Sequence, residues 1–276
     1  MGTVISFINM KGGVGKTTLC IGVGEYFANT LNKKVLIIDL DPQFNATQSL
    51  LDKYNQVDDY LSNYRHTKTV RQIFATTTDV YKTNTVVKSN EIIHEFSENL
   101  DVILGDINII FDNNTMDNTR FKRVKKFISE NKLKEVYDYI FIDCPPTISL
   151  YTDSAIIASD YYLVPIRIDQ YSILGITNLL TVINNLKYDE ELNIKPLGII
   201  YTNIENNLTQ KTQSIKDNFE LEPGISDLYF FKSVLSEVRD LKVGNQGNIA
   251  SHYKKSREDI HRICLEIESL LKEGIK

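Results

Sequence analysis

The sequence predicts an α/β protein with a doubly wound, mostly parallel sheet. Three observations point there. Short runs rich in Val, Ile, Phe and Tyr recur along the chain, and stretches of helical spacing separate them. Several of the runs are apolar without alternation, as strands covered on both faces are. Strands alternating with helices imply crossover connections and parallel pairing.

The first strand is expected at residues 3–9 (TVISFIN), leading through a glycine-rich loop into a helix. Cys20, Val23, Gly24, Phe27 and Leu31 fall on one stripe of that helix. Residues 35–39 (VLIID) form the second run, and 100–104 the third. Between them, residues 52–99 are polar and rich in Thr, Asn, Asp and Tyr. They are expected as an irregular edge or surface segment with two short helices, near 70–75 and 91–96. A basic helix follows, carrying Arg120, Lys122, Arg123, Lys125, Lys126, Lys132 and Lys134, with Phe121, Val124 and Ile128 facing inward. Runs at 137–143 (YDYIFID), 161–166 and 197–203 (LGIIYTN) complete the strands. Ile260, Ile263, Cys264, Ile267, Leu270 and Leu271 make the apolar stripe of a last helix that closes the core. The expected organisation is one domain over residues 1–276.

At 276 residues the chain can bury a large core without staples. The 42% hydrophobic and 24% charged fractions exclude wholesale disorder. Three cysteines, odd in number and far apart, match no metal spacing and suggest free thiols in a reducing compartment. No apolar run approaches the ~18 residues of a membrane span, and no secretory leader is visible, so a cytoplasmic location is expected. The formal charge of −5 argues against a constitutively basic DNA binder and leaves room for a local basic patch.

Directly after the first strand comes Lys11-Gly12-Gly13-Val14-Gly15-Lys16-Thr17-Thr18. Glycines let a backbone fold tightly enough to aim several N–H groups at phosphate oxygens, and the following helix adds its positive end. Lys16 offers a point charge for β- and γ-phosphates, and the Thr17 hydroxyl a ligand for Mg²⁺. The match to G-x-x-x-x-G-K-[ST] is imperfect, because Met10 occupies its first glycine position. Lys11 reads from the residues alone either as functional or as a solvated loop lysine.

Carboxylates stand at two further strand ends. The second run closes on Asp39-Leu40-Asp41-Pro42-Gln43 and continues Phe44-Asn45-Ala46-Thr47. In open α/β sheets ligands bind outside the carboxyl ends of strands, which puts both acids beside the phosphate loop. A local alternative makes Asp41 the N-cap of a helix with Pro42 at its first position. The run at 137–143 ends in Asp143, followed by Cys144-Pro145-Pro146. Asp143 is placed to hold Mg²⁺ through water, or else to cap the Pro-Pro turn.

These motifs resemble the deviant Walker-A ATPases of the ParA/MinD superfamily, which are P-loop NTPases, and most closely the small, Soj-like ParA proteins. Residues 11–18 resemble that family's x-K-G-G-x-G-K-[ST] loop, residues 39–47 its second motif and residues 143–146 its D-x-P-P. Gly is usual where this chain has Phe44. The resemblance implies an ATP- and Mg²⁺-dependent ATPase that dimerises on ATP, with Lys11 crossing to the partner's nucleotide. It implies that Asp41 positions or activates the attacking water and that Asp39 supports Mg²⁺ through coordinated water. It also implies that a residue near Asn203 reads the adenine edge, although Asn203 reads equally well as a cap for a helix starting near Leu208. The segment 238–247 resembles the family's V-R-L-S-E-A-x-x-x-G, which places the nonspecific DNA contact at Arg239 with Lys242 nearby. The local alternative pairs Arg239 with Asp240 or Glu237.

The function so implied is DNA partitioning, of a plasmid or a chromosome, with nucleoid association and a ParB-like centromere-binding adaptor that stimulates hydrolysis. The basic helix around Lys122–Lys134 is a second candidate DNA surface, or a solvated face. Rival readings are a MinD-like, membrane-positioned regulator, suggested by Gly244-Asn245-Gln246-Gly247, an iron–sulfur ATPase, and an ATP-dependent biosynthetic ligase. The acidic residues on the polar face of the last helix speak against membrane attachment.

Overall fold

The computed structural model describes residues 1–75, 86–114, 119–205, 208–244 and 248–274. Apolar runs become the strands β1 (Thr3–Phe7), β2 (Val35–Asp39), β3 (Ile93–Ser97), β4 (Leu100–Ile103), β5 (Tyr139–Asp143), β6 (Tyr161–Ile166), β7 (Lys195–Ile204) and β8 (Leu235–Ser236). They form one eight-stranded sheet in the order β3-β4-β2-β5-β1-β6-β7-β8. All neighbours pair parallel except β3 with β4, which is antiparallel.

The period of two along a strand divides the core into two layers. From β1, Val4 and Ile8 enter one layer and Ile5 and Phe7 the other; from β2, Leu36 and Ile38 oppose Val35 and Ile37. The first layer is covered by α6 (Arg123–Glu130), α8 (Leu150–Ala158) and α9 (Gln170–Asp189), through residues such as Phe127, Tyr151 and Ile176. The second is covered by α1 (Lys16–Asn29) and α12 (Lys254–Glu273). As expected, Cys20, Val23 and Phe27 face the sheet, and Phe27 packs edge-on against Tyr139 and Phe141. Full burial of such a ring contributes about 1.5–3 kcal/mol. Gly22 lets α12 lie close, since a Cβ there would stand 2.7 Å from Ile260 Cδ1.

The remaining helices are α2 (Asn45–Lys53), the short turns α3 (Val57–Asp59), α4 (Arg71–Phe74), α5 (Ser89–Ile92) and α7 (Leu133–Val136), then α10 (Gln210–Glu220) and α11 (Arg239–Val243).

Three expectations need correction. The helix expected near 91–96 is only begun by α5. From Ile93 the chain is the antiparallel edge strand β3, because pairing with β4 satisfies its backbone and Phe96 turns inward. The basic helix has a different phase: Arg120–Lys122 is a 3-10 turn, so Val124, Phe127 and Ile128 are buried while Phe121 is only half-buried. Arg120 is itself buried and donates to the Phe74 carbonyl at 3.4 Å, so it does not belong to the solvated face. The two-residue strand β8 has no periodic signal in the sequence.

Candidate nucleotide site

Parallel register brings the motifs together. Asp39 at the end of β2 pairs with Asp143 at the end of β5, and Asp143 pairs with Phe7 at the end of β1. The loop from β1 to α1 therefore opens beside two strand-terminal carboxylates. Gly13 and Gly15 have φ of 71° and 81°, in the left-handed region where glycine is the unstrained choice. Gly15 caps α1 without a side-chain hydrogen bond, which leaves the first N–H groups of the helix for a ligand.

Gly12, Gly13, Gly15, Lys16, Thr17 and Thr18 line a cavity of about 300 Å³, with Asp41, Gln43, Asn45, Ser49, Pro146 and Asn248 facing them. Val14 does not line it; its side chain is buried and its carbonyl accepts from Thr202 Oγ1 at 2.6 Å. Lys16 is buried and donates to the Lys11 carbonyl at 3.2 Å. Desolvation lowers its pKa, against the opposing pull of Asp143, Cys144 and Asp41. Lys11 turns away from the cavity. Its Nζ forms an ion pair with Asp169, the N-cap of α9, whose carboxylate also accepts from the N–H groups of Tyr171 and Ser172.

The carboxylates have separate surroundings. Asp143 is fully buried and accepts from the Thr17 hydroxyl at 2.7 Å, while its other oxygen, Oδ1, is buried without a hydrogen-bond partner. Burial, together with Asp39, pushes its pKa well above the usual carboxylate range, against the Thr17 hydrogen bond. Asp39 is also fully buried. Its carboxylate accepts from Thr47 N at 2.9 Å, Thr47 Oγ1 at 2.7 Å and Asp41 N at 3.2 Å. Burial raises it to about 7 in spite of those bonds.

Asp41 is not a helix N-cap. It accepts from Gln43 N at 2.9 Å in a local turn, and α2 begins only at Asn45. Its pKa is raised by burial and lowered in part by the Gln43 N–H and Lys16.

Two of these carboxylates, Asp143 and Asp41, thus act on one buried ammonium, Lys16. An orphaned buried oxygen on Asp143 and the adjacent Thr17 hydroxyl fit a hard divalent cation such as Mg²⁺. Among the described residues no group of three or more His, Cys, Asp or Glu side chains forms a protein-only metal cage.

Asn203, at φ 54° near the end of β7, reaches the loop from the far side, with Nδ2 3.4 Å from the Gly13 carbonyl. The helix after it is capped by Thr209, so the capping alternative for Asn203 falls away. Arg239 and Lys242 sit on α11. Lys242, not Arg239, is the ion-pair partner of Glu237, and Arg239 is exposed. Asn245, Gln246 and Gly247 of the MinD-like motif lie outside the described residues. The three cysteines are each buried and free, an unsuitable arrangement for a cluster shared at a subunit interface.

Reading by motif passed over several residues of the site. Asn9 accepts from Lys11 N at 2.9 Å and donates to the Pro165 carbonyl at 2.7 Å, fixing the start of the loop. Thr202 fixes its middle. Gly105 N–H donates to Thr47 Oγ1 at 2.7 Å, completing the support of Asp39. Asp169 carries a sequence signal, an Asp before a helical run at a strand end; Thr202 and Gly105 do not.

A family model described as an AAA domain matches residues 2–196 of the chain. The sporulation initiation inhibitor protein Soj of Bacillus subtilis is 31% identical over 205 residues, 74% of each protein. The chain belongs to the ParA/MinD superfamily of ATPases. The virulence plasmid ParA family protein pGP5-D of Chlamydia psittaci is 29% identical over 282 residues, covering 97% of this chain and 95% of that protein. Among solved structures, a putative plasmid partition protein of Borrelia burgdorferi bound to AMPPNP superposes with a TM-score of 0.73 at 23% identity, covering 99% of both chains. Cobyrinic acid a,c-diamide synthase of Mycobacterium smegmatis with ADP and magnesium gives 0.78 at 20% identity, covering 100% of this chain and 98% of that one. Both likenesses concern the fold. Partition proteins and a biosynthetic enzyme share it, so the fold does not choose between those functions.

Proposed function

We propose that this ParA/MinD-type protein is a DNA-partitioning ATPase that pairs on ATP, binds nucleoid DNA without sequence preference while paired, and is released by hydrolysis that a ParB-like adaptor stimulates. The observation that carries the reading is the orientation of Lys11. Its ammonium is held by Asp169, outside its own phosphate cavity, and exchange of that ion pair would let it reach a nucleotide presented by a second copy.

In this reading the loop amides and Lys16 grip the triphosphate, and Asn203 lies on the base side. Thr17 and Asp143 hold Mg²⁺, with Asp39 behind them. Bound there, Mg²⁺ would supply positive charge to the triphosphate. Asp41 orients the attacking water and accepts its proton, a role suited by its raised pKa. Lys11 from the partner neutralises charge on the transferred phosphoryl group, as an arginine finger does elsewhere.

Large apolar side chains support a pairing face. Ile107 and Ile110 after β4, Ile148 after β5, Tyr171 after β6 and Val243 at the end of α11 all stay exposed. They lie in the segments that follow the carboxyl ends of several strands, and exposed apolar groups that gather in one region mark an interaction surface.

Pairing also answers the charge problem. A chain of net charge −5 with one modest basic patch neutralises few phosphates. Two copies double the patch, and each phosphate neutralised adds about 0.9 to the fall of log K per decade rise in salt, so paired binding is both tighter and more salt-sensitive. In the basic segment, Lys122 of the 3-10 turn, Lys126 of α6 and Lys134 of α7 are paired with Glu190, Glu130 and Asp160, which favours a solvated face there. The apolar stripe of α12 is buried in the core beside α1, so that stripe does not face outward for a membrane. Among the described residues no helix is long and apolar enough to cross one.

The test is DNA affinity with ATP, with ADP and without nucleotide, at two salt concentrations. Tight, salt-sensitive binding is expected with ATP alone. Equal affinity in the three states rejects the reading.

A further inference from the structure

Behind the wall of the cavity that faces the phosphate loop is a buried charge cluster with no part in the nucleotide chemistry. That wall includes Asn45 and Ser49 of α2, and Asn248. Glu25, in the middle of α1, is 2% exposed. Lys53 in the last turn of α2 pairs with it at 2.5 Å and also donates to Ser251 Oγ at 3.1 Å. Ser251 donates to the second Glu25 oxygen at 3.3 Å, and Tyr54 donates to the first at 3.2 Å. One carboxylate therefore ties the helix after the Asp41 loop to the segment that carries Asn248. Two residues beyond Ser251, the Tyr253 hydroxyl donates to the Asp240 carbonyl of α11 at 3.1 Å. That helix bears Arg239 and Lys242.

We propose that Glu25 is a positioning residue that couples the nucleotide cavity to α11. Phosphates entering the cavity shift Asn248 and the start of α2. Lys53 and Ser251 follow as one unit, because a buried carboxylate separated from its cation is heavily penalised. Tyr253 passes the displacement to α11, so the basic helix is presented differently with nucleotide than without. The proposal rests on the reading above, in which ATP fills this cavity and α11 meets DNA. It adds a route from one to the other.

The experiment is amide hydrogen exchange on the full chain, with and without a non-hydrolysable ATP analogue and Mg²⁺, for wild type, Glu25→Gln and Tyr253→Phe. Tyr253→Phe removes a single hydroxyl, which guards against a Glu25 variant that fails to fold, and melting temperatures are compared first. In the wild type, nucleotide should change exchange in both the phosphate loop and α11, the latter about fivefold or more, the lower end of ordinary coupling. In the variants the loop response should persist while the α11 response falls below about twofold.

A wild-type α11 indifferent to nucleotide, or variants that keep the full α11 response, overturns the proposal. A loop that gains no protection overturns it together with the nucleotide reading. An α11 that responds while DNA affinity stays constant upholds the coupling and removes only the DNA role of that helix.

Discussion

Phe44 stands where the family motif usually has Gly, and its φ of 41° lies in the left-handed region. That conformation costs a bulky residue about 1–2 kcal/mol. Local bonds hold it there: its N–H donates to the Asp41 carbonyl at 2.8 Å, and its carbonyl accepts from Gln48 at 3.0 Å. Opposite lies Gly105, where a Cβ would stand 2.6 Å from the Phe44 Cβ and 2.9 Å from the Asp39 Cγ. The departure at position 44 is thus absorbed by the bare backbone at 105.

Thr47 is the joint between those two chains. Thr47→Val should remove a donor to Asp39 and orphan the Gly105 N–H, lowering stability by about 1–3 kcal/mol in urea unfolding. A change under about 0.5 kcal/mol, the size of an ordinary surface substitution, would contradict that assignment. Lys11→Ala tests the other side of the site. Because Lys11 reaches the cavity only through its backbone, ATP affinity should stay within about twofold. The single-turnover hydrolysis rate should fall by about a hundredfold or more. A variant that loses binding and hydrolysis equally would place Lys11 on its own nucleotide.

Among elements, α12 shows how acidic residues on an amphipathic helix serve the fold. Glu266 accepts from Tyr229 Oη at 2.7 Å, Lys232 N at 2.8 Å and Ser233 N at 2.9 Å, fastening the segment that leads to β8. Partial burial pushes its pKa up, but these hydrogen bonds outweigh it and bring it below the ordinary glutamate value. A carboxyl depressed in the folded state stabilises fully above its unfolded pKa of about 4.3 and loses that contribution as pH falls through the folded value. Glu266→Gln should therefore flatten the decline of the urea midpoint below about pH 4.5, with less effect on the slope at neutral pH. Parallel acid limbs in the two proteins would refute it.

The same comparison shows which elements the sequence made legible. Runs at 35–39 and 161–166 match β2 and β6 residue for residue, because uninterrupted apolar stretches between turn signals declare buried strands. Edge strands β3 and β8 owe their form to the neighbour that pairs with them, which no local pattern reports. In the site, residues 11–18, 39–47 and 143 were legible because each motif is contiguous. Thr202, Gly105 and Asn248 reach it only through sheet register and loop packing.

For the whole molecule, the proposed reading is that the buried Lys16, Thr17 and Asp143 form an incomplete site, which nucleotide and Mg²⁺ would complete and a second copy would then cover. In the proposed reading the outward Lys11 acts only when that second copy is present. Sedimentation velocity with Mg²⁺ and ATP, beside ADP and beside Lys16→Ala in ATP, measures it directly. A pair is expected only for the wild type in ATP, and single chains in the other two samples. A wild-type chain that stays single in ATP, or a Lys16→Ala chain that pairs, would contradict it.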